Sequence, residues 1–179
     1  MATMTSPQAD TGHDTFPING TDYIEFWVGN AKQSQLYYRH VMGFESLAYR
    51  GPETGVRDRA SYLLQQDKLR FVLTTPMGPD GEIAAHIAKH GDGVRDLAFW
   101  VEDCRDAYAK AIERGATSIH PPRVDTDEHG EVVIAAIATY GDTIHSIVER
   151  KNYTGTFLPG FVKTTPAFPA QSAGLKYVD

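Results

Sequence analysis

A stretch of sequence that occurs twice limits the folds open to this chain more than any other feature. Phe26-Trp27-Val28 returns as Phe99-Trp100-Val101, 73 residues later. Two residues after each copy stands a residue whose side chain can cap a helix, Asn30 in the first and Asp103 in the second. Such self-similarity at a fixed spacing indicates that one structural unit is used twice.

Each copy belongs to a unit that we predict as strand, helix and three strands. Period-two alternation and short apolar runs predict strands over 21–28, 45–49, 60–65, 69–74, 96–101, 118–120, 132–139 and 143–150. The main helices end at Gly43 and Gly115, and a short helix is predicted over 82–89. A lone βαβββ unit exposes one face of its sheet, so two units bury these faces by pairing. The predicted fold class is α+β, with paired βαβββ modules in a curved, incomplete mixed barrel and helices outside.

The composition is that of a globular protein of ordinary size. The chain has 179 residues, of which 41% are hydrophobic, and a formal net charge of −6. This acidic balance argues against a sequence-independent nucleic-acid binder and against docking on an anionic membrane. Cys104 is the only cysteine, so an intramolecular disulfide is excluded. No apolar run reaches the roughly 20 residues that span a bilayer, and we predict a cytoplasmic protein.

The two predicted modules cover about 16–90 and 91–162, and together they form one domain over 16–162. Residues 1–15 are polar and are predicted to be a disordered tail. Residues 163–176 are rich in Pro, Ala and Ser without any period, which is typical of a linker. We interpret 163–179 as an interdomain linker followed by the start of a truncated second domain.

Long ordered stretches of the sequence resemble one known family. Paired βαβββ units are the architecture of the vicinal oxygen chelate (glyoxalase-like) superfamily, and within it the chain resembles the N-terminal half of the 4-hydroxyphenylpyruvate dioxygenases, close to their actinobacterial form. The resemblance spans about residues 16–179. The residues that carry it are Val28-Gly29-Asn30-Ala31-Lys32-Gln33, Met42-Gly43-Phe44, Gly51-Pro52-Glu53, Phe71-Val72-Leu73-Thr74, His90-Gly91-Asp92-Gly93-Val94, Ala138-Thr139-Tyr140-Gly141-Asp142-Thr143 and Leu158-Pro159-Gly160-Phe161.

The resemblance implies that the intact protein has two domains, of which only one carries the catalytic site. In that family only the C-terminal domain holds Fe(II), through two histidines and a glutamate, and the intact enzyme acts on an aromatic α-keto acid and O2. Asp179 matches the residue just before the first iron ligand. We therefore expect no cofactor in this chain and no activity from it alone. The implied partners are its own C-terminal catalytic domain and further copies in a homo-oligomer.

The repeat allows a separate test for a metal in this half. Superfamily ligands lie on the first and fourth strands of each unit, and the repeat places Tyr23, Phe71, Asp96 and Ser146 at those vestigial positions. These four residues offer one carboxylate and no imidazole, whereas an iron site needs three good donors. We predict no metal ligand, no catalytic residue and no cofactor-binding residue here.

Other polar groups fit ordinary structural roles better than catalytic ones. His86 and His90 share one helix face, but the glutamate of a zinc-protease helix does not follow His86, so an exposed face is the preferred interpretation. Glu149 and Arg150 end the last predicted strand and are interpreted as an exposed pair.

Trp27 and Trp100 occupy equivalent positions in the repeat and are predicted to face the concave side of the sheet. Three interpretations of these side chains are open: they fill the cavity that lacks a metal in this half, they contact a small ligand, or they contact a partner. Two alternative functions stay open. The chain could be the N-terminal half of a 4-hydroxymandelate synthase, or a stand-alone small-molecule-binding module of the bleomycin-resistance type.

Overall fold

The computed structural model describes residues 16–166 and 169–178, and folds them into nine strands, three α-helices and one short 3-10 turn. The predicted tail over 1–15 and Asp179 lie outside the described residues. The strands are β1 Gly20–Trp27, β2 Glu45–Arg50, β3 Arg59–Gln66, β4 Leu69–Pro76, β5 Gly93–Trp100, β6 Ser118–Asp127, β7 Gly130–Ala138, β8 Ile144–Glu149 and β9 Val162–Lys163. The helices are α1 Ala31–His40, α2 Glu82–His90 and α3 Cys104–Glu113, and the 3-10 turn is Pro52–Thr54.

All nine strands form one mixed sheet in the order β6-β7-β8-β5-β1-β4-β3-β2-β9. The two modules meet at its centre, where β1 runs antiparallel to β5. Within each module the first and last strands pair in parallel, β1 with β4 and β5 with β8. This order confirms the predicted α+β fold of paired βαβββ modules.

Local sequence signals explain where the two main helices begin and end. The side chain of Asn30 accepts a hydrogen bond from the Gln33 amide, and that of Asp103 accepts one from the Asp106 amide. Both are N-caps of the kind that satisfies an orphan amide of the first turn. Gly43 follows α1 with φ +74°, and Gly115 follows α3 with φ +96°. Glycine adopts this left-handed conformation without steric cost, so it ends each helix at the predicted place.

Three apolar clusters form the core, two between the helices and the sheet and one on the concave side of the sheet. One lies between α1 and the sheet, around Phe44, Leu64 and Leu73. A second lies under α3, around Cys104 and Ile147. The third fills the concave side of the sheet and joins residues of both modules. In the described part of the chain, no helix is long and apolar enough to cross a membrane.

Two segments differ from their predicted structure. β6 extends over ten residues instead of the predicted 118–120, because the pair Pro121-Pro122 sits on the outermost strand, where a missing amide costs no ladder bond. The predicted linker is partly ordered against the first module, since β9 pairs with β2 and the Lys68 amide donates to the carbonyl of Lys176. Residues 177–178 form no strand. The division into a domain over 16–162 and a linker stays a prediction.

Candidate functional site

The concave side of the sheet encloses a cavity of about 230 Å³. Its walls come from all the strands from β1 to β8, and the segment that follows β8 covers part of it. Phe157 and Phe161 of this segment are buried in the concave cluster, where the ring of Tyr23 packs edge-on against Phe157 at 5.4 Å. Glu82 and Arg123, whose side chains are 72% and 56% exposed, lie at the mouth and connect the cavity with solvent.

The aromatic residues that fill the concave side are mostly not the predicted ones. Trp27 lines the cavity and is buried, as expected for a concave residue. Trp100 is partly buried but does not line the cavity, because it stands at the far end of β5, where it pairs with Gly20. Phe157 and Phe161, which follow β8, are buried in the concave cluster and line the cavity.

Three of the four vestigial ligand positions meet in the cavity wall. The Tyr23 hydroxyl donates to Asp96 Oδ2 at 3.1 Å, and the Ser146 hydroxyl donates to the same oxygen at 2.6 Å. The Ser146 amide donates to Asp96 Oδ1 at 2.9 Å. Burial raises the pKa of Asp96, although these hydrogen bonds oppose the shift. Burial and the nearby carboxylate of Asp96 raise the pKa of the Tyr23 hydroxyl well above its ordinary value.

The fourth position, Phe71, is a correction. Phe71 stacks on Phe44 at 4.7 Å in the cluster beneath α1, on the opposite face of the sheet. Val72 faces the cavity instead. Trp27 pairs with Thr74 and Trp100 with Val148, so equivalent residues of β4 and β8 are 74 apart and Ser146 corresponds to Val72. The sequence alignment of the two closing strands was wrong by one residue, which reverses the face of a strand residue.

This donor set does not fit a divalent iron site. Iron of the facial-triad type needs two imidazoles and a carboxylate that converge with open positions between them. Here Tyr23, Val72, Asp96 and Ser146 supply one carboxylate, and both of its oxygens already accept hydrogen bonds from the protein. No cluster of three His, Cys, Asp or Glu side chains that could hold a metal occurs within 16–166 and 169–178.

A second buried carboxylate, Glu25, stands in the middle of β1. Its Oε1 accepts a hydrogen bond from the Thr74 hydroxyl at 2.6 Å, and that hydroxyl also contacts the Ser61 hydroxyl at 2.8 Å. Burial raises the pKa of Glu25, while the Thr74 hydrogen bond and the charge of Arg50 oppose the shift. A carboxyl that favours its protonated form can itself donate a hydrogen bond inside the cavity.

A stack of cationic and aromatic groups surrounds Trp27, at the end of the same strand. The Arg95 guanidinium lies over the Trp27 ring at 4.8 Å and donates to Glu82 at 2.8 Å. His86 packs edge-on against Trp27 at 5.0 Å, and His90 contacts Asp142 at 2.7 Å. The predicted exposed histidine face is therefore only partly correct, because the His86 ring is covered by an indole.

Arg50 and Arg95 line the cavity, although no sequence pattern predicted this. Arg95 reaches the cavity through a bulge: Glu25 pairs with Asp96 and Phe26 with Val94, which leaves Arg95 without a partner in β1. Period-two alternation alone would assign Arg95 to the other face. Arg50 ends β2, where an arginine before Gly51 carries no signal of burial.

Comparison with known proteins agrees with this architecture. The profile of the family described as hydroxyphenylpyruvate dioxygenase, HPPD, N-terminal, matches residues 13–158. The chain belongs to that family. Among curated relatives of this N-terminal HPPD family, a 4-hydroxyphenylpyruvate dioxygenase of Tetrahymena thermophila is 47% identical over 148 residues, which are 80% of this chain and 37% of the relative. One from Danio rerio is 45% identical over 163 residues, covering 88% of this chain and 41% of the relative.

Solved structures place the same fold in several proteins. A triple mutant of 4-hydroxymandelate synthase from Streptomyces coelicolor superposes with a TM-score of 0.75 at 27% identity, covering 90% of this HPPD-family chain and 45% of that one. Methylmalonyl-CoA epimerase from Mycobacterium tuberculosis shares the fold with a TM-score of 0.61 at 18% identity, covering 74% of this chain and 88% of its own. The present chain spans about two fifths of the length of the curated dioxygenases that it matches.

Proposed function

We propose that this chain is the non-metal half of a 4-hydroxyphenylpyruvate dioxygenase. The intact enzyme would convert 4-hydroxyphenylpyruvate and O2 to homogentisate and CO2 in tyrosine catabolism. The match of the N-terminal family profile over 13–158 carries this proposal, together with relatives more than twice as long that are named for this activity. Because the cavity residues of this chain do not fit iron, the Fe(II) of the intact enzyme would be held by residues outside the chain.

The role left for this half is that of a scaffold. The carboxylate at the superfamily ligand positions is occupied by hydrogen bonds from Tyr23 and Ser146. Phe157 and Phe161 fill much of the space that a large substrate would need. Its proposed partners are the C-terminal catalytic domain and further copies of the protein. The outer face of α1 exposes Leu36, Tyr37 and Val41 and offers apolar surface for such contacts. A cytoplasmic location and a homo-oligomer stay predictions.

A second candidate is the N-terminal half of a 4-hydroxymandelate synthase, which is favoured by the TM-score of 0.75 over 90% of the chain. That enzyme would use the same substrate and hydroxylate its benzylic carbon. The curated dioxygenases are more similar in sequence, at 45–47% identity against 27% for the synthase. This difference favours the dioxygenase.

Oxygen consumption tests the proposal directly. We expect the 179-residue chain with Fe(II), ascorbate and 4-hydroxyphenylpyruvate to consume no oxygen above the protein-free rate. A chimera that continues this chain with the C-terminal part of the Danio rerio relative should consume oxygen and form homogentisate. Far-UV circular dichroism of the chain alone serves as the folding control. Homogentisate formed by the 179-residue chain without any added domain would contradict the proposal.

A further inference from the structure

The cavity contains buried hydrogen-bond donors that no protein group satisfies. Trp27 Nε1, Arg50 Nε and Arg95 Nε belong to side chains that line it, and none has an acceptor among the residues that the structure describes. A buried polar group without a partner costs free energy, so native proteins satisfy nearly all of them. All three atoms are donors. The group that would complete the cavity must therefore be an acceptor.

Among the described residues, Arg50 is the cavity arginine that has no carboxylate within ion-pair distance. Arg59 pairs with Asp58 at 2.8 Å, Arg95 with Glu82 at 2.8 Å and Arg123 with Asp125 at 3.3 Å. Within the described chain, the Arg50 guanidinium makes no ion pair and no hydrogen bond, and lies over the Phe161 ring at 4.8 Å. A guanidinium offers five donors in a fork that matches a carboxylate. Arg50 is therefore available to an anionic ligand.

Each acidic residue of the cavity already has a hydrogen bond or ion pair of its own, although the charge of Glu25 also acts on Arg50. Both oxygens of Asp96 accept hydrogen bonds from Tyr23 or Ser146, and Glu25 accepts one from Thr74. Glu82 and Asp125 are paired with arginines at the mouth. These carboxylates leave Trp27 Nε1, Arg50 Nε and Arg95 Nε without an acceptor, as expected of a site that recognises an oxyanion.

The sheet register sets how far apart the unsatisfied donors lie. Arg50 pairs with Ser61, Ser61 with Thr74 and Thr74 with Trp27, so these residues form one row across four strands. Three strand spacings of about 4.8 Å separate the ends of that row along the sheet. Both side chains line the same cavity, Trp27 from β1 and Arg50 from β2. A ligand between them needs an acceptor at each end.

We propose that this cavity binds a small organic carboxylate with a compact apolar body and a second oxygen at its far end. Arg50 anchors the carboxylate, and Trp27 and Arg95 donate to the second oxygen. Val72, Ile134 and Phe157 supply the apolar walls. The volume of about 230 Å³ is smaller than that of pockets for drug-sized ligands, which indicates a molecule of one ring or a short chain.

The two tryptophans make the test specific to this site. In 1H–15N spectra of the 179-residue chain, titration with 4-hydroxybenzoate should shift the Trp27 indole resonance saturably and leave that of Trp100 unchanged. We expect a Kd of about 1 mM or tighter. Benzoate lacks the second oxygen and should bind more weakly. 4-Hydroxybenzamide has the same shape without the charge and should give no saturable shift.

Variants connect the binding to Arg50. Arg50→Met keeps the apolar stem and removes the charge, so the affinity for 4-hydroxybenzoate should fall by at least about tenfold. Arg105→Met, on the exposed side of α3, is the matched control and should bind as the wild type does. If Arg50→Met does not fold, Arg50→Lys replaces it, with a smaller loss because the bidentate fork is gone.

The proposal is overturned if neither carboxylate shifts the Trp27 resonance saturably, which would mean that water completes the cavity. It is equally overturned if folded Arg50 variants bind as tightly as the wild type. Neither result depends on whether the chain takes part in dioxygenase chemistry, which the oxygen measurement tests separately.

Discussion

At the scale of single residues, buried carboxyl groups determine the chemistry of the cavity. The carboxylate of Asp96 accepts hydrogen bonds at both oxygens, from Tyr23 and Ser146. The carboxylate of Glu25 accepts one, from the Thr74 hydroxyl. Burial raises the pKa of both carboxyl groups, so each favours its protonated form more than an exposed carboxyl does.

Glu25 gives a pH dependence with a definite sign. Burial raises the folded-state pKa of Glu25 above 4.5, the value for the unfolded chain. At pH values between the unfolded-state and folded-state pKa, the folded chain therefore binds more protons than the unfolded chain. Its contribution to stability therefore falls as the pH rises through that window. Glu25→Gln keeps an acceptor for Thr74 and removes the titration. The unfolding free energy of the variant relative to the wild type should increase between about pH 4 and about pH 7, measured by urea denaturation.

Glu53 provides a control with the opposite sign. This exposed carboxylate accepts a hydrogen bond from Tyr49, which lowers the pKa of Glu53. Its contribution is present above the unfolded pKa and is lost as the pH falls, so Glu53→Gln should lose stability relative to the wild type as the pH rises. Parallel pH profiles for the two variants would refute the assignment of Glu25.

Tyr23, Asp96 and Ser146 were predicted as vestigial ligand positions from the repeat, combined with the strands that carry ligands in the superfamily. That their side chains bond to one another could not be predicted, because hydrogen bonds across strands depend on a register that the sequence does not state. The position of the Arg50 guanidinium in the cavity likewise becomes visible only when every neighbour is placed.

At the scale of elements, sequence patterns predicted the strands and helices well but not their irregularities. Local rules determine where a helix begins and ends, as at the caps Asn30 and Asp103 and at the glycines after each helix. Such rules involve only neighbouring residues, so the sequence alone predicts their outcome. The bulge at Arg95 and the length of β6 depend on which strand lies beside them. The misplacement of Phe71 has the same origin, because both β4 residues, Phe71 and Val72, are apolar and satisfy either register.

The two glycines that end α1 and α3 allow a matched experiment. Both have positive φ, so alanine at either costs about 1–2 kcal/mol of backbone strain. A Cβ at Gly43 would also overlap the carbonyl oxygen of Gln171, whereas one at Gly115 meets nothing within 4 Å. Gly43→Ala should therefore lower the unfolding free energy by more than Gly115→Ala, measured by urea denaturation.

The difference in unfolding free energy between these two variants measures how strongly residues 169–178 contact the first module. Gln66 makes the neighbouring contacts, because its side-chain oxygen accepts from the Leu175 amide at 2.7 Å and its nitrogen donates to the Met42 carbonyl at 2.6 Å. Equal losses for Gly43→Ala and Gly115→Ala would mean that residues 169–178 leave this surface in solution.

At the scale of the whole molecule, one buried carboxylate connects the two modules. Asp22 in β1 is fully buried at its side chain and accepts from Arg70 Nη1 at 3.0 Å and from Arg150 Nη2. Arg150 also donates to the Phe157 carbonyl at 2.5 Å and lies over the Phe157 ring. The prediction of Glu149 and Arg150 as an exposed pair was wrong, since Glu149 is buried and accepts from the Cys104 amide.

Removal of this carboxylate should destabilise the protein strongly. Asp22→Ala leaves two partly buried guanidinium groups without a partner and should lower the unfolding free energy by about 3 kcal/mol in urea denaturation. Asp58→Ala breaks the exposed pair with Arg59 and should cost less than about 1 kcal/mol. If the two losses were alike, the buried pairing would not hold the modules together.

The position of Phe157 in the chain has a consequence for how the protein is made. The concave face of the first module is complete once β4 has left the ribosome, yet the rings that cover it, and the Arg150 partner of Asp22 128 residues away, are synthesised much later. Contacts between residues so far apart in the sequence form slowly, because closing the long loop between them costs conformational entropy first. During translation the apolar residues of this face, Tyr23, Leu63 and Val72, are therefore uncovered, and molecular chaperones protect such residues in the cell.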